Sequence, residues 1–278
     1  MLAKTSTIAC VVFGVLFARG AYAQPDPDSE AKPTEAGPAA GADGADQLTL
    51  PKGRLLLDAS LIASLVSGSE FKPFSLSPDV WYGATDDITV GLVHSIAGVT
   101  GFIGFPGSSL CLSGSGGGCA DLYPDVALLA RYKLKTGSLA LAADGGLFIR
   151  HFGDPFQLAL KAGADVRWHS GKIAVETNPN LIFGFTNRDG GNGDFLDLPI
   201  TAFYAVTPMI AVALQSGFIV PFQNTGDAYA IPLSIGAHYH VNESLNVYLA
   251  FSLPALISGQ AVKGFDLRSL TLGGTYAF

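Results

Sequence analysis

The stretch Gln157-Leu158-Ala159-Leu160-Lys161-Ala162-Gly163-Ala164-Asp165-Val166-Arg167-Trp168 decides the fold. Leu158, Leu160, Ala162, Ala164, Val166 and Trp168 occupy every second position, with Gln157, Ala159, Lys161, Gly163, Asp165 and Arg167 between them. Successive residues of a β-strand point to opposite faces of a sheet, so this segment has one apolar and one polar face. The same period recurs. In 125–133, Val126, Leu128, Ala130 and Tyr132 alternate with Asp125, Ala127, Leu129, Arg131 and Lys133; in 245–253, Leu245, Val247, Leu249, Phe251 and Leu253 alternate with Asn246, Tyr248, Ala250 and Ser252.

Two folds fit such alternation. A soluble barrel turns its apolar face inward; a membrane barrel turns it outward and lines its lumen with the polar face. Here the polar face carries Asp, Lys, Arg, Glu and small residues, while the apolar face is bulky and ends in Tyr or Trp beside the turns. Aromatic girdles belong at membrane interfaces. Composition agrees. Of 278 residues, 49% are hydrophobic and only 14% charged, against about 25% charged in an average soluble domain. Beyond the N-terminus no run approaches the roughly 20 apolar residues of a spanning helix. A helical membrane protein is excluded and an ordinary cytosolic enzyme disfavoured. The 34 glycines follow no collagen-like period.

Short turns fall around Thr85-Asp86-Asp87, residues 134–137, Ser170-Gly171, Thr207-Pro208 and Asn242-Glu243. Tyr82, Tyr132, Trp168, Tyr204 and Tyr239 stand just before them, and Tyr276 holds the same place at the chain end. These six form the expected girdle, at spacings of 50, 36, 36, 35 and 37 residues. A near-constant period of hairpin content marks an up-and-down barrel. Longer Gly-, Pro- and Asn-rich connections lie between, near 67–73, 97–121, 151–155, 187–194, 221–227 and 254–264. Short turns on one side and long loops on the other match the outer-membrane pattern of periplasmic turns and extracellular loops. The strands predicted are 55–66, 76–84, 88–96, 122–133, 138–150, 156–168, 172–186, 195–206, 209–220, 228–241, 244–253 and 265–278. The fold class is thus all-β: a transmembrane up-and-down antiparallel β-barrel of about twelve strands, both ends periplasmic, spanning residues 51–278.

Residues 1–23 read as a secretory signal: Lys4, an apolar stretch from Ile8 to Ala18, and Ala21-Tyr22-Ala23 before the cleavage point. Cys10 starts the apolar stretch, whereas a lipidated cysteine closes it, so it is expected to leave with the signal. Residues 24–50 hold four prolines and Asp26, Asp28, Glu30, Glu35, Asp43 and Asp46 against Lys32 alone. Such a segment cannot bury enough surface to offset chain entropy, and a disordered periplasmic segment is expected. The formal net charge is −7; the signal carries +2 and the tail −5, which leaves −4 for the barrel. Nothing suggests nucleic-acid binding.

At the end of the chain Leu270, Leu272, Gly274, Tyr276 and Phe278 alternate and finish on a terminal Phe. This resembles the C-terminal recognition strand of Gram-negative outer-membrane barrels. The resemblance implies an outer-membrane location, lipid around the wall, and Phe278 as the signal read by the barrel assembly machinery. The hairpin Trp81-Tyr82-Gly83-Ala84-Thr85-Asp86-Asp87-Ile88-Thr89-Val90-Gly91-Leu92 also resembles one found in uncharacterised porin-like proteins, including the phenol-degradation meta-pathway family, where a transport role is presumed. It covers one hairpin only.

Candidate chemistry sits inside the barrel. Asp58, Asp79, Asp125, Arg131, Lys133, Asp144, Arg150, Lys161, Asp165, Arg167, Glu176 and Asp197 fall on the lumen face. Buried charges need partners or water, so these form a stiffening network or a hydrated pore lining. Many lumen neighbours are small, among them Ser60, Gly83, Gly91, Gly163, Ser234, Gly273 and Thr275, which favours water-filled space. Cys111 and Cys119 flank a Gly-rich stretch in the long loop and are expected to form a disulfide in an oxidising envelope. That loop either folds inward as a constriction or stays outside as a recognition element. His238 and His240 share the lumen face; a solvated rim pair is the commoner outcome, and no metal is assigned. His94-Ser95 and His169-Ser170 are adjacent pairs whose members point to opposite faces of a strand. Nothing resembles the Ser/His/Asn arrangement of outer-membrane phospholipase, and no catalytic residue or cofactor is assigned. Residues 187–194 space oxygen ligands like a loose calcium loop but lack its bidentate Glu. The leading function is a passive pore or small-solute transporter; the alternatives are a non-conducting structural or surface-recognition barrel and an outer-membrane enzyme.

Overall fold

The computed structural model describes residues 48–106, 110–119, 121–223, 228–259 and 264–278. The expectations for residues 1–47, the signal and nearly all of the acidic segment, lie outside the described residues. The strands are β1 (Leu55–Ser64), β2 (Phe74–Gly83), β3 (Ile88–Val93), β4 (Leu110–Cys111), β5 (Val126–Lys135), β6 (Leu139–His151), β7 (Gln157–Ser170), β8 (Ile173–Thr177), β9 (Asn180–Gly184), β10 (Phe195–Ala205), β11 (Ile210–Pro221), β12 (Ala230–His240), β13 (Leu245–Ser258) and β14 (Ser269–Ala277). A single α-helical turn, α1 (Ile96–Thr100), follows β3.

Neighbours pair antiparallel in the order β1-β14-β13-β12-β11-β10-β8-β7-β6-β5-β3-β2, and β2 pairs back onto β1. The sheet is therefore a closed ring. β8 and β9 are two halves of one wall strand, since both pair with β7 and with β10; the break falls at Asn178-Pro179, where proline has no N–H to give the ladder. β4 adds two residues beside the upper part of β2. The wall is thus a twelve-stranded antiparallel barrel, and closure leaves it no free edge. Its ends meet: Leu56 to Ser64 pair with Ala277 to Ser269, and Phe278 N donates to Leu55 O at 2.9 Å.

The faces separate by the period of two. Leu128, Leu214, Ile235, Leu249 and Leu272 project outward and are exposed, while Asp79, Asp144, Lys161, Ser252 and Thr271 on the inner face are buried. The six aromatics Tyr82, Tyr132, Trp168, Tyr204, Tyr239 and Tyr276 are all exposed on the outer face, next to the short turns. An outer surface this apolar would be unfavourable in water by about 25 cal/mol for each Å² of it.

Several element ends differ from the sequence expectation, and three of them bear on the interior. β3 stops at Val93 because a carboxylate, Asp79, captures the next two amides, as described below. β5 starts at Val126 rather than at 122. β13 continues to Ser258, through the stretch expected to be loop from 254; the ladder tolerates Pro254 because register shifts between Ile231 and Leu233 of β12, where Pro232 also lacks a donor.

Candidate functional site

After β3 the chain leaves the wall and crosses the lumen. Asp79 on β2 causes the departure: its Oδ1 accepts from His94 N at 2.7 Å and Ser95 N at 2.8 Å, and its Oδ2 accepts from the Ser95 hydroxyl. Ser95 Oγ in turn accepts from Gly98 N at 2.8 Å and caps α1. Alternation therefore ends before His94-Ser95, and neither residue points as a strand residue would. The Ser95 hydroxyl faces a carboxylate and a helix end, not the His94 ring, which lies against the Pro78 carbonyl. This is a structural cap rather than a nucleophile with a base beside it.

The far wall receives the crossing segment by side-chain hydrogen bonds. Gln215 Nε2 donates to Gly101 O at 2.8 Å, and Gln215 Oε1 accepts from Ile103 N at 2.8 Å. Asn180 Nδ2 reaches Thr100 O at 3.4 Å, Ser234 Oγ reaches Ile103 O at 3.5 Å, and Ser269 Oγ donates to Gly104 O. Gly101 and Gly104 have φ of +79° and +91°. A Cβ on Gly104 would stand 2.2 Å from Ser252 Cβ, and one on Gly101 2.7 Å from Pro199. Glycine is required at both points for conformation and for close approach. Val99 and Phe102 are fully buried; Val99 joins Leu50, Trp81, Val93, Leu129, Phe148 and Ile182 in an apolar cluster within the barrel.

The small lumen residues are therefore sockets more than voids. Gly91 faces the Trp81 ring, Gly273 faces Tyr248, Gly163 faces Asn180, and Gly83 faces the Leu50 and Pro51 carbonyls. The expectation that small residues leave open water space is corrected at these positions. The chain just before β1 also runs inside: Leu50 is buried, its N–H donates to Thr89 Oγ1 at 2.7 Å, and Leu48 lines a cavity.

The expected lumen charges divide into groups. One wall, β5 to β8, carries a paired network. Lys161 Nζ lies 2.6 Å from Asp144 Oδ2 with both side chains fully enclosed. Arg131 Nε lies 2.8 Å from Asp165 Oδ2 and 4.0 Å from Asp144, and its guanidinium covers the Trp81 ring at 4.1 Å. Arg167 Nε lies 2.7 Å from Glu176. Asn178, where β8 and β9 break, donates to Asp144 and Asp165. Near the long-loop end, Arg150 holds Asn192 Oδ1 and Gly193 O, each at 3.2 Å, and Asp197 and Asp125 are buried. Asp58 and Asp79 face each other on β1 and β2. Lys133 stands at the mouth, not within the lumen: its Nζ lies 2.7 Å from Asp87 and donates to Asp86 O at 2.6 Å, because the β2–β3 turn brings those two acids to the last inward position of β5.

Between the crossing segment and the short-turn mouth lies a cavity of about 330 Å³, lined by Asp58, Asp79, Trp81, Phe203, His238, His240, Asn246 and Tyr248 among others. A second, of about 180 Å³, adjoins it beside Asp165, Asn178 and Leu48. The His238 ring lies between Phe203 and Tyr248, at centroid distances of 5.5 and 5.3 Å. Among the described residues no cluster of three or more His, Cys, Asp or Glu is arranged for a metal ion.

Cys111 of β4 and Cys119 are joined by a disulfide. Asp194 in the 187–194 loop is taken by Arg188, which meets both carboxylate oxygens at 2.8 and 2.6 Å. That guanidinium holds the Asp194 carboxyl below the usual carboxylate range. Asp194 is therefore engaged in an ion pair rather than offered as a cation ligand.

Sequence reasoning missed Gln215, Asn180, Ser252 and Ser269, which seat the crossing segment. Gln215 is the one with a visible signal: a long amide amid the small inward residues of β11.

No family model matches the chain, and no curated protein does. The Trp81–Leu92 hairpin therefore remains a local resemblance. Solved structures do match. The NanC porin is similar at TM-score 0.53 and 10% identity, over 79% of this chain and 98% of that one. The KdgM porin is similar at TM-score 0.51 and 8% identity, over 80% and 99%. At such identities the likeness is one of fold: this chain has the closed twelve-stranded barrel of outer-membrane porins.

Proposed function

We propose that the chain is a passive outer-membrane pore for small solutes in a Gram-negative bacterium, narrowed by residues 94–105. The observation that carries this is the combination of an apolar outer wall with a charged interior that residues 94–105 divide, with a cavity of about 330 Å³ left on the short-turn side. Paired charges on β5 to β8 keep the wall rigid, and the crossing segment sets the width. The outward aromatics near the short turns fit a membrane interface. Phe278, alternating with Tyr276 on the last strand, serves in this reading as the signal for the barrel assembly machinery. Conductance of the purified, folded protein in a planar bilayer tests the pore: discrete current steps are expected, and their absence would favour the non-conducting barrel. Lipid hydrolysis lost on changing His238 would instead support an enzyme.

A further inference from the structure

Near the short-turn mouth the register lines up polar groups at one level of the wall. Asp58 of β1 pairs with Thr275 of β14, Thr275 with Asn246 of β13, and Asn246 with His240 of β12. Asp79 of β2 stands on the other side of Asp58. All five line the 330 Å³ cavity. Two carboxylates directly opposed on one sheet face repel unless each is compensated. Asp79 is compensated, by the two amides and the hydroxyl of the crossing segment. Asp58 is not: among the described residues it makes no ion pair or hydrogen bond. Two cations that line the cavity are already engaged, Arg131 by Asp165 and Arg167 by Glu176.

The neighbours of Asp58 add acceptors. Asn246 is buried, 5% exposed, and its Oδ1 has no hydrogen-bond partner among the described residues; neither does Thr275 Oγ1. Buried acceptors of this kind are unfavourable until something donates to them. The row thus offers one uncompensated negative charge and two unused oxygens. An ammonium group brings one positive charge, three donors and no acceptor. The remaining lining is mixed: Arg131, Arg167 and Glu176 are paired, while Leu56, Ile103 and Phe203 are apolar and can take a short carbon chain. A bare inorganic ion would use neither the apolar side chains nor most of the volume.

We propose that this cavity binds a small primary ammonium compound, with its charged group on Asp58, Thr275 Oγ1 and Asn246 Oδ1 and its carbon chain against Leu56, Ile103 and Phe203. The proposal names a solute class for the pore and rests on that reading for the solute's route. The site itself is tested by binding.

The probe is butylammonium chloride, titrated calorimetrically into the folded barrel in detergent at physiological ionic strength. Saturable binding is expected, weakened about tenfold or more by Asp58→Asn through loss of the counter-charge. Asn246→Asp, which adds a second carboxylate to the row, should tighten it severalfold and serves as the test should Asp58→Asn fail to fold. Glu243→Gln removes an exposed charge at the same mouth and should change nothing. Failure of the wild type to bind, equal binding of butyrate, or equal effects of Asp58→Asn and Glu243→Gln would overturn the proposal, as would Asn246→Asp leaving the affinity unchanged. A barrel that binds butylammonium without conducting keeps the site and loses the pore; one that conducts without binding does the reverse.

Discussion

Asp79 shows how one side chain can fix the course of a whole segment inside a barrel. It ends β3, caps the route to α1 through Ser95, and so directs residues 94–105 inward. Asp79→Ala should release this anchor and lower stability by about 2–4 kcal/mol, the scale of losing hydrogen bonds to a buried charge, less the relief of its repulsion with Asp58. Larger, noisier single-channel currents would accompany the loss, and unchanged currents would show that the segment is held by its far contacts alone. Lys161 makes a second case. With both partners of the Lys161–Asp144 pair fully enclosed, Lys161→Met should cost about 3–5 kcal/mol in denaturant unfolding, because Asp144 is left less compensated. Adding Asp144→Leu should recover much of that. The charges themselves were legible in the sequence, since alternation puts Asp79, Asp144 and Lys161 on the inner face. Their roles were not. Asp79 acts as an anchor only because β2 and the end of β3 meet in one register, and pairing register is a tertiary fact that alternation does not carry.

At the scale of elements, the strands were readable and the crossing was not. Each wall strand shows its own period of two, so 172–186 and 195–206 could be placed without knowing their neighbours. Residues 94–105 have no such period. Their position depends on Gln215, Ser234 and Ser269, more than a hundred residues away in the chain, and the small size of the two serines looks the same whether the space is filled by water or by backbone. Gly104→Val is the sharpest probe. It strains a positive φ and collides with Ser252, so the segment should unseat and conductance rise severalfold, while heat-dependent gel mobility still reports a folded barrel. The loop beyond β4 has a separate fastening. Cys111 and Cys119 are eight residues apart, and opening their disulfide by Cys111→Ser and Cys119→Ser should remove about 2–3 kcal/mol by the chain-entropy relation for so short a loop. Hydrogen exchange should then quicken at Leu110–Leu112 and not in β10 to β14.

For the whole molecule, the outward face predicts where the barrel resists charge. Leu272 lies midway along β14 and packs beside Leu61 and Leu249 on the two adjoining strands, exposed to the surroundings. In a bilayer Leu272→Arg should cost about 2–4 kcal/mol, and Tyr276→Arg near the rim only about 0–1, measured by unfolding in lipid vesicles. Equal costs at the two depths would place the membrane elsewhere on the wall. The closure of the sheet has a different consequence. Phe278 N is bonded to Leu55 O, so the first and last strands of the wall meet and the strand order is a circle. Joining 278 to 55 and reopening the chain at Thr207-Pro208 would preserve every strand pair of the wall. Such a circular permutant should refold in detergent to the same barrel while ending on a different residue. Under the role proposed for Phe278, folding and cellular delivery would then come apart: the permutant keeps the ring of strand pairs but no longer presents Phe278 as its terminal residue.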